Sequence, residues 1–533
     1  MSSRKVEGEA TTIDVSDDVC PDAKSFTSRR RFFTAGASIA AASLLSTRAA
    51  SAQGTGTGTR RDMVRRVLRK TTRPEPGPAR STLVSAAAYD SALSKLVRRI
   101  TNGVTADEMT LARKLGFAGY LNYQLNWSKI DDNAVQTYVA TNYPLALQDS
   151  AQLYSLDAGT VQTQFINATL YRAAFSKRQL YERMAEFFSD HFNIEYANVQ
   201  YMKVPDERDV PRLYALGKFP DMVRASAHSP AMLEYLDNTR NRRNNVNQNY
   251  ARELMELHTV GVDGGYTQND VAELSRCLTG WTIASRGVAF TFDPNGHDWN
   301  QKVVLGQVIP SQPSNSGQLG LRDGDMMIDY LVAHPNTARY VSKKMLRWLL
   351  RYDPSEEQIQ SVASVYSSTQ GDIPSMIRAI LTPENLVAAP AKYRRPYTYI
   401  LACLRSTNPG ILRLQNVTGT WLRTVGQSLF AWGPPDGYPD TAEYWSGGAL
   451  PRWNFAQYLA TNTADVPVDI NKFLATPTPT GLVDAINTAL FAGEMPDALR
   501  SQLLSYAQGA TLTATRARET LALAMSASAF QWM

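Results

Sequence analysis

Residues 247–265, NQNYARELMELHTVGVDGG, carry six ionisable side chains and end in a glycine-rich turn. At 3.6 residues per turn, one face of a helix here would hold four polar side chains: Asn249, Arg252, Glu253 and Glu256. The opposite face would hold Ala251, Leu254, Leu257 and His258. The simpler interpretation is a surface helix with an Arg252–Glu256 ion pair, and the stretch by itself favours it. The alternative turns the polar face toward a cleft, where Arg252 and the two glutamates are candidate catalytic residues.

The chain has five histidines, all at helix ends, in turns or in polar loops: His191, His228, His258, His297 and His334. A metal site would draw on His191 with Asp190, His297 with Asp298, and Glu253 or Glu256, because neutral imidazoles and carboxylates suit Zn²⁺, Mn²⁺ or Fe²⁺. His258 joins this set only if its helix ends before the next residue. No HExxH or HxH spacing supports a metal, and a hydrogen-bonded core histidine is the alternative for His258. The cofactor therefore stays open, with a divalent metal as the candidate, while His228 and His334 are predicted to cap helices.

Substrate contacts are predicted from three further residues. Lys302 would hold an anionic group together with Arg252, and Asn249 and Trp281 would contact the substrate. Residues 421–453, rich in glycine, proline and aromatic residues, are predicted to form an ordered loop region. Its rings Trp432, Tyr438, Trp445 and Trp453 either pack the loop or form a wall on which carbohydrate stacks. Loop packing is the commoner explanation.

The N-terminus resembles a twin-arginine export signal. Arg29, Arg30 and Arg31 precede two phenylalanines and a mildly apolar run over 35–45, which is too short to span a bilayer. The sequence Ala-Ser-Ala at 50–52 predicts cleavage after Ala52. We therefore expect residues 1–52 to be a signal peptide, the twin-arginine machinery to be a partner, and the mature protein to be periplasmic or secreted. Because this route carries folded proteins, often with a cofactor, it modestly favours a bound metal.

Residues 53–82 are predicted to be a basic linker with a Gly-Thr repeat, an arginine run and PEPGP. Eight basic residues lie between Arg60 and Arg80, whereas from residue 81 onward 40 basic side chains face 41 acidic ones. The net charge of +6 therefore belongs to the N-terminal region, and a nucleic-acid-binding groove is not indicated. Cys277 and Cys403, the two cysteines outside the predicted signal, form no disulfide framework or cysteine metal site.

From residue 83 to 533, apolar spacing predicts a mostly α-helical protein: one large multi-helix domain with long loops and little β structure. Thr105 and Thr267 are predicted helix caps, and 159–188 is predicted to be one long helix. A brief alternation at 289–292 predicts a strand. The chain shows no further apolar run of transmembrane length, no GxSxG elbow, no phosphate-binding loop and no dinucleotide fingerprint.

Residues 247–271 followed by LTGW resemble the signature of the domain-of-unknown-function family 1800 (DUF1800). Five other segments follow the order of that family's motifs: FSDHFN at 188–193, HSPAMLEYLDN at 228–238, HD at 297–298, HPNTAR at 334–339 and PPDGY at 434–438. The likeness covers about residues 85–530, with Asp190, Ser229 and Gln248 as departures from its usual asparagine, proline and glutamate. The resemblance implies a bacterial, commonly exported, largely helical protein without implying a reaction. All five histidines fall inside its motifs.

Two functions remain open at this point. The first is an exported, metal-assisted hydrolase that acts on an envelope or extracellular polymer, with a glycan as one candidate. The second is a non-catalytic envelope assembly or binding protein, in which the same polar residues form a buried network that fixes helix packing. The enzyme interpretation gains if His191, His297 and one of the glutamates surround an open cleft. It loses if each is paired or enclosed.

Overall fold

The computed structural model describes residues 91–314 and 316–533, so the predicted export signal and linker lie outside the described residues. The described chain is mostly helical, which confirms the predicted fold class. In chain order, the α-helices are α1 Ala92–Ile100, α2 Ala106–Leu125, α3 Asn133–Asn142, α4 Ser150–Leu153, α5 Ala158–Phe175, α6 Gln179–His191, α7 Tyr196–Val199, α8 Lys203–Glu207, α9 Phe219–Ala227, α10 Pro230–Tyr235, α11 Asn249–Glu253, α12 Gln268–Cys277, α13 Leu321–Ala333, α14 Pro335–Leu349, α15 Glu356–Thr369, α16 Ile373–Ile380, α17 Pro383–Ala388, α18 Pro396–Thr407, α19 Leu422–Thr424, α20 Ala442–Trp445, α21 Ala449–Thr461, α22 Pro479–Ile486, α23 Asp497–Gln508, α24 Ala514–Ser526 and α25 Ser528–Gln531.

Shorter helical turns connect these helices. Wider π-helical segments cover Arg208–Arg212, Leu254–His258, Asn416–Trp421 and Asn487–Phe491. Tighter 3-10 turns cover Trp127–Lys129, Pro144–Leu147, Gln200–Met202, Asn238–Arg240, Ser285–Gly287, Pro294–Gly296, Gly317–Gly320 and Ile470–Lys472.

Several helix starts follow directly from capping residues in the sequence. The side chains of Thr105 and Thr267 accept the backbone N–H groups of Glu108 and Asp270, which confirms both predicted caps. His334 caps α14, because its Nδ1 accepts the backbone N–H of Asn336 at 3.2 Å. These side chains satisfy N–H groups that have no partner inside the first helical turn.

The prediction of one helix over 159–188 is wrong, because the chain breaks between α5 and α6 at residues 176–178. No glycine or proline marks this break. Instead Asp132, 45 positions before Lys177, accepts the Lys177 backbone N–H at 2.9 Å and the Ser176 hydroxyl at 3.1 Å. The Gln179 side chain then donates to the Ser176 carbonyl at 2.8 Å. A long-range carboxylate therefore ends one helix and starts the next.

The β structure consists of two small antiparallel hairpins. Strand β1 (Trp281–Ile283) pairs with β2 (Phe290–Phe292), with Trp281 opposite Phe292. Strand β3 (Lys302–Val304) pairs with β4 (Gln307–Ile309). The strand predicted at 289–292 is thus present.

Two large apolar clusters form most of the core. The first is built mainly from residues 96–389, and the second mainly from residues 397–530 together with parts of α3 and α5. Helix α6 gives Leu180, Met184 and Phe188 to the first cluster. Its polar side chains face α5 and the start of α18, so the functional candidates lie between the two apolar clusters. Within the described residues, no helix combines the length and apolar character needed to cross a bilayer.

Candidate functional site

A pocket between α5, α6, the start of α18 and residues 427–438 encloses about 560 Å³ of space, part of it open to solvent. Four carboxylates and two guanidinium groups line it: Glu182, Glu186, Asp190, Glu207, Arg212 and Arg395. We call it the acidic pocket. Three of its acids come from α6 at intervals of four residues, so one face of this helix points at the pocket.

The two arginines pair with these acids in different ways. Arg212 donates two hydrogen bonds of 2.8 Å to Glu182, a two-point pair that uses both carboxylate oxygens. Arg395 donates to Asp190 at 2.6 Å but lies 3.7 Å from Glu186, so it bridges two acids one helical turn apart. Glu182 is therefore held by a two-point pair, whereas Glu186 and Asp190 share Arg395. Glu186 also accepts a hydrogen bond from Arg183 at 3.2 Å through its other oxygen.

Glu207 closes the other wall of the pocket. It accepts the Ser189 hydroxyl at 2.8 Å and the Lys203 ammonium at 3.0 Å. Lys203 is fully buried and also pairs with Asp206 at 2.8 Å. These contacts fix the wall opposite α6.

Burial raises the pKa of three pocket acids. For Glu186 the rise persists although Arg183 and Arg395 oppose it, and Asp190 adds to it. Burial also raises the pKa of Asp190, against the Arg395 ion pair and hydrogen bond. The pKa of Glu207 rises for the same reason, against Lys203. Carboxyl groups that hold a proton above their usual range are suited to general acid catalysis near neutral pH.

Three polar atoms of the pocket lack hydrogen-bond partners among the described residues. They are Glu186 Oε1, Arg395 Nε and the Tyr397 hydroxyl. Tyr397 is 2% exposed and Arg395 is 4% exposed, so bulk water does not freely satisfy them. Buried polar groups are normally paired, and an unpaired set around one cavity is typical of a place where a ligand or ordered water binds.

The segment 432–438 is fastened to the C-terminal end of α6. The Asn193 side-chain amide donates to the carbonyls of Trp432 at 2.8 Å and Pro434 at 2.7 Å. Gly437 has a φ of 77°, and a β-carbon there would collide with the Asp190 carbonyl, so this approach requires glycine. The next residue, Tyr438, lines the pocket.

His191 and His258, two of the predicted ligands, lie together beside the pocket helix. The His191 Nε2 lies 3.1 Å from the His258 carbonyl, and its Nδ1 lies 2.9 Å from the Lys344 ammonium. Burial and the Lys344 charge lower the pKa of His258 to about 3, and they lower that of His191 well below its usual value. Both rings are therefore neutral, and neither His258 ring nitrogen has a hydrogen-bond partner among the described residues.

His297 lies in a different network with Lys302. Its Nδ1 lies 2.8 Å from the Thr279 carbonyl and its Nε2 lies 3.2 Å from Asp323. Lys302 pairs with Asp323 at 2.5 Å and also donates to the Asp298 carbonyl. The network is closed, because both nitrogens of the fully buried His297 already have partners.

The Asp298 carboxylate points to another partner. It accepts a hydrogen bond from Arg276 Nε at 2.7 Å. The side-chain hydrogen bond and charge of Arg276 outweigh burial and lower the pKa of Asp298. Within the part of the chain that the structure describes, no three His, Cys, Asp or Glu side chains are grouped so that they could hold a metal ion. The predicted ligand set of His191, His297, Asp298 and His258 is thus not brought to one point.

The opening stretch differs from the predicted surface helix. After α11 the backbone widens into a π-helical turn over 254–258, so the 3.6-residue wheel no longer applies and the helix ends before Thr259. Glu253 is 2% exposed and Glu256 is 7% exposed, which makes the surface interpretation wrong for both. The predicted Arg252–Glu256 pair is present but long, at 3.9 Å.

The remaining predicted substrate residues make structural contacts. The Asn249 amide donates to the Leu236 carbonyl at 3.1 Å. Trp281 is fully buried; its ring lies 4.8 Å from that of His228, which is tilted, and 5.3 Å from that of Phe290, which meets it edge to face. His228 also lies 3.1 Å from Asp325, at the end of α9.

Asp190 was predicted only as a companion of His191 in a metal site, and the other acids of the pocket were not predicted. A signal was present, because Glu182, Glu186 and Asp190 recur at intervals of four along one helix. Such spacing is also typical of a solvated helix face, and the partner Arg395 lies 205 residues from Asp190. The burial that distinguishes the two cases comes only from the tertiary structure.

The chain is a large helical protein with a pocket lined by acids and arginines, in which three polar atoms lack hydrogen-bond partners among the described residues. The profile of the family described as "Protein of unknown function (DUF1800)" matches residues 95–532, and the chain belongs to this family. No curated protein and no solved structure matches the chain.

Proposed function

We propose that this protein is an exported hydrolase that acts on an envelope or extracellular polymer at the acidic pocket. The observation that carries the proposal is the set of unpaired buried polar atoms on Glu186, Arg395 and Tyr397 around one cavity. A network that served only to fix helix packing would be expected to satisfy its members. Export rests on the twin-arginine pattern of the sequence.

The chemistry follows from the two acids that share Arg395. Glu186 supplies the proton for the leaving group, because its pKa is raised by burial and its Oε1, 3.7 Å from Arg395, accepts no hydrogen bond among the described residues. Asp190, held by Arg395 and by the Tyr438 backbone N–H, serves as the carboxylate that receives a proton from the attacking water. The bond to the leaving group breaks as a bond to the water oxygen forms, so both protons are accounted for.

The metal-assisted form of this hydrolase has weaker support than the acid–base form. Its predicted ligands lie in two separate networks, and His297 is fully engaged by Thr279 and Asp323. A resident divalent metal thus remains a prediction from the sequence, whereas the acid–base proposal uses side chains that share one cavity.

The second candidate is a non-catalytic envelope assembly or binding protein. The closed network of His297, Lys302 and Asp323 favours it, because every group there is paired and the role is structural. The two candidates differ at the acidic pocket, where only the enzyme requires a group that exchanges protons.

The test is hydrolysis of purified envelope and extracellular polymers, followed by release of soluble fragments. Glu186→Gln and Asp190→Asn should each slow hydrolysis by at least about 100-fold without loss of the fold. Asp323→Asn is the matched control, because it changes a buried acid outside the pocket and should affect stability rather than turnover. Full activity of Glu186→Gln, or hydrolysis of none of the polymers by the unmodified protein, would refute the enzyme proposal.

A further inference from the structure

Four aromatic side chains contact one another beside the acidic pocket: Trp432, Tyr438, Tyr444 and Trp445. The ring centroids of Trp432 and Tyr438 are 5.0 Å apart, and those of Tyr444 and Trp445 are 4.6 Å apart. The two pairs also meet, at 6.0 Å between Tyr438 and Trp445 and 6.3 Å between Trp432 and Tyr444. We call this set the aromatic platform.

The aromatic platform extends from the pocket wall to the surface. Tyr438 lines the pocket, and its ring centroid lies 5.9 Å from the Arg395 guanidinium carbon. Trp432 is partly exposed and Tyr444 is 54% exposed. The exposed rings are therefore connected to the pocket through Tyr438.

The polar tips of three platform rings are already engaged nearby. The Trp432 indole N–H donates to Asp436 at 2.8 Å, and the Tyr438 hydroxyl donates to the Ser428 carbonyl at 2.6 Å. The Trp445 indole N–H donates to the Pro439 carbonyl at 2.7 Å. The rings are thus oriented before any ligand binds, which lowers the entropy cost of binding.

The predicted wall also included Trp453, which the structure separates from the others. Trp453 lies on α21, and its indole N–H donates to the Ser526 carbonyl at 3.1 Å. It is 51% exposed and makes no ring contact with the platform among the described residues. It therefore provides an exposed tryptophan of the same chemistry in a different place.

A ligand must match the ring faces of Trp432 and Tyr444, which are nearly perpendicular to each other, outside the pocket, and donors and acceptors without hydrogen-bond partners inside it. Sugar rings do so, because they present C–H faces to aromatic rings and hydroxyl groups to carboxylates, guanidinium groups and phenols. A nucleic acid does not match, because the pocket has four carboxylates and the chain beyond residue 80 has no basic excess. We propose that the aromatic platform binds the sugar rings of a glycan, of which one unit enters the acidic pocket. This inference rests on the proposed hydrolase and names its substrate class.

The experiment measures binding separately from turnover. Full-chain protein carrying Glu186→Gln is titrated calorimetrically with a soluble β-glucan, a xylan, a chitin oligosaccharide and a soluble peptidoglycan fragment. Trp432→Ala and Tyr444→Ala, each added to this background, should weaken binding of the preferred glycan roughly tenfold. Trp453→Ala is the matched control and should leave the affinity unchanged. Because Tyr444 is mostly exposed, its replacement tests the platform without disturbing the core.

The outcomes separate this inference from the proposed activity. Equal affinity of the platform variants and the control, or binding of none of the four glycans, would overturn the platform. Hydrolysis of a non-glycan polymer without glycan binding would keep the hydrolase and reject its glycan substrate. Platform-dependent binding of a glycan that the unmodified protein never cleaves would keep the platform and reject the hydrolase.

Discussion

Acidification should destabilise this protein through His258, a buried neutral histidine whose ring nitrogens have no hydrogen-bond partner among the described residues. Burial and the nearby Lys344 charge lower its pKa in the folded chain to about 3, whereas the ordinary value is 6.5. A histidine with a lowered folded pKa contributes stability that is complete above the unfolded pKa. That contribution is lost as the pH falls from about 6.5 toward 3.

The magnitude follows from the width of this pH window. Each pH unit between the two pKa values lowers the free energy of unfolding by about 1.4 kcal/mol, because His258 binds a proton in the unfolded chain but not in the folded chain. Between pH 6.5 and pH 4.5, two units, His258 should therefore remove about 2.7 kcal/mol from the free energy of unfolding. This is a substantial part of the ~5–15 kcal/mol typical of a folded protein.

The assay is urea unfolding at pH 7 and at pH 4.5, followed by tryptophan fluorescence. We compare the unmodified protein with His258→Phe, which keeps a ring among its aromatic neighbours but cannot take up a proton. Whatever its absolute stability, the variant should lose about 2.7 kcal/mol less between the two pH values. His334→Asn is the comparison variant, because burial also lowers the pKa of His334 but its ring is only partly buried, so its replacement should change the pH dependence less than His258→Phe does. Identical pH dependence of His258→Phe and the unmodified protein would refute the reasoning.

Three further predictions test the surrounding charges. Burial raises the pKa of Glu186 in the folded chain above its ordinary 4.5, so the stability that the protonated Glu186 contributes is lost as the pH rises. The melting temperature of Glu186→Gln should therefore rise relative to that of the unmodified protein between pH 4.5 and pH 8. A pH-independent difference in melting temperature would contradict this. Burial lowers the pKa of Lys344 to about 8, so at pH 8 this amine should react with acetic anhydride faster than the exposed Lys343. Peptide mass spectrometry measures both rates, and slower reaction of Lys344 would count against an available neutral amine. Lys302→Met should lower the free energy of unfolding by about 3–5 kcal/mol, because Asp323 stays buried beside His297 and Gln312 but loses its ammonium partner. Adding Asp323→Leu should recover part of that loss in urea unfolding, and no recovery would argue against charge burial as the cause.

The positions of the few histidines did not predict where the acidic pocket lies. His297 was predicted as a metal ligand because it lies in a polar loop beside an acid. In the fold, Thr279 and Asp323 occupy its nitrogens, while Asp298 turns to Arg276. Residue type and local spacing do not distinguish a paired histidine from an available one, because the pairing partners come from other elements.

The aromatic segment illustrates the opposite case, in which composition was informative. Glycine, proline and aromatic residues over 421–453 predicted an ordered loop packed by rings, and Trp432, Tyr438 and Trp445 do pack together. The loop prediction is wrong at α19, α20 and the start of α21, which lie in the same range. The sequence did not show that Tyr438 lines a pocket or that Trp453 lies apart. Those facts depend on how Asn193 and Gly437 fasten the segment to α6.

The sequence by itself determined the features whose physics is local: the helical class, the caps at Thr105, Thr267 and His334, the ring-packed segment and the family resemblance. Hydrogen bonds and apolar periodicity within a few residues are sufficient for these. Tertiary structure alone decided which acids are buried. Asp190 meets Arg395 across 205 positions, and the charge states of the pocket depend on the competition between that ion pair and the loss of water.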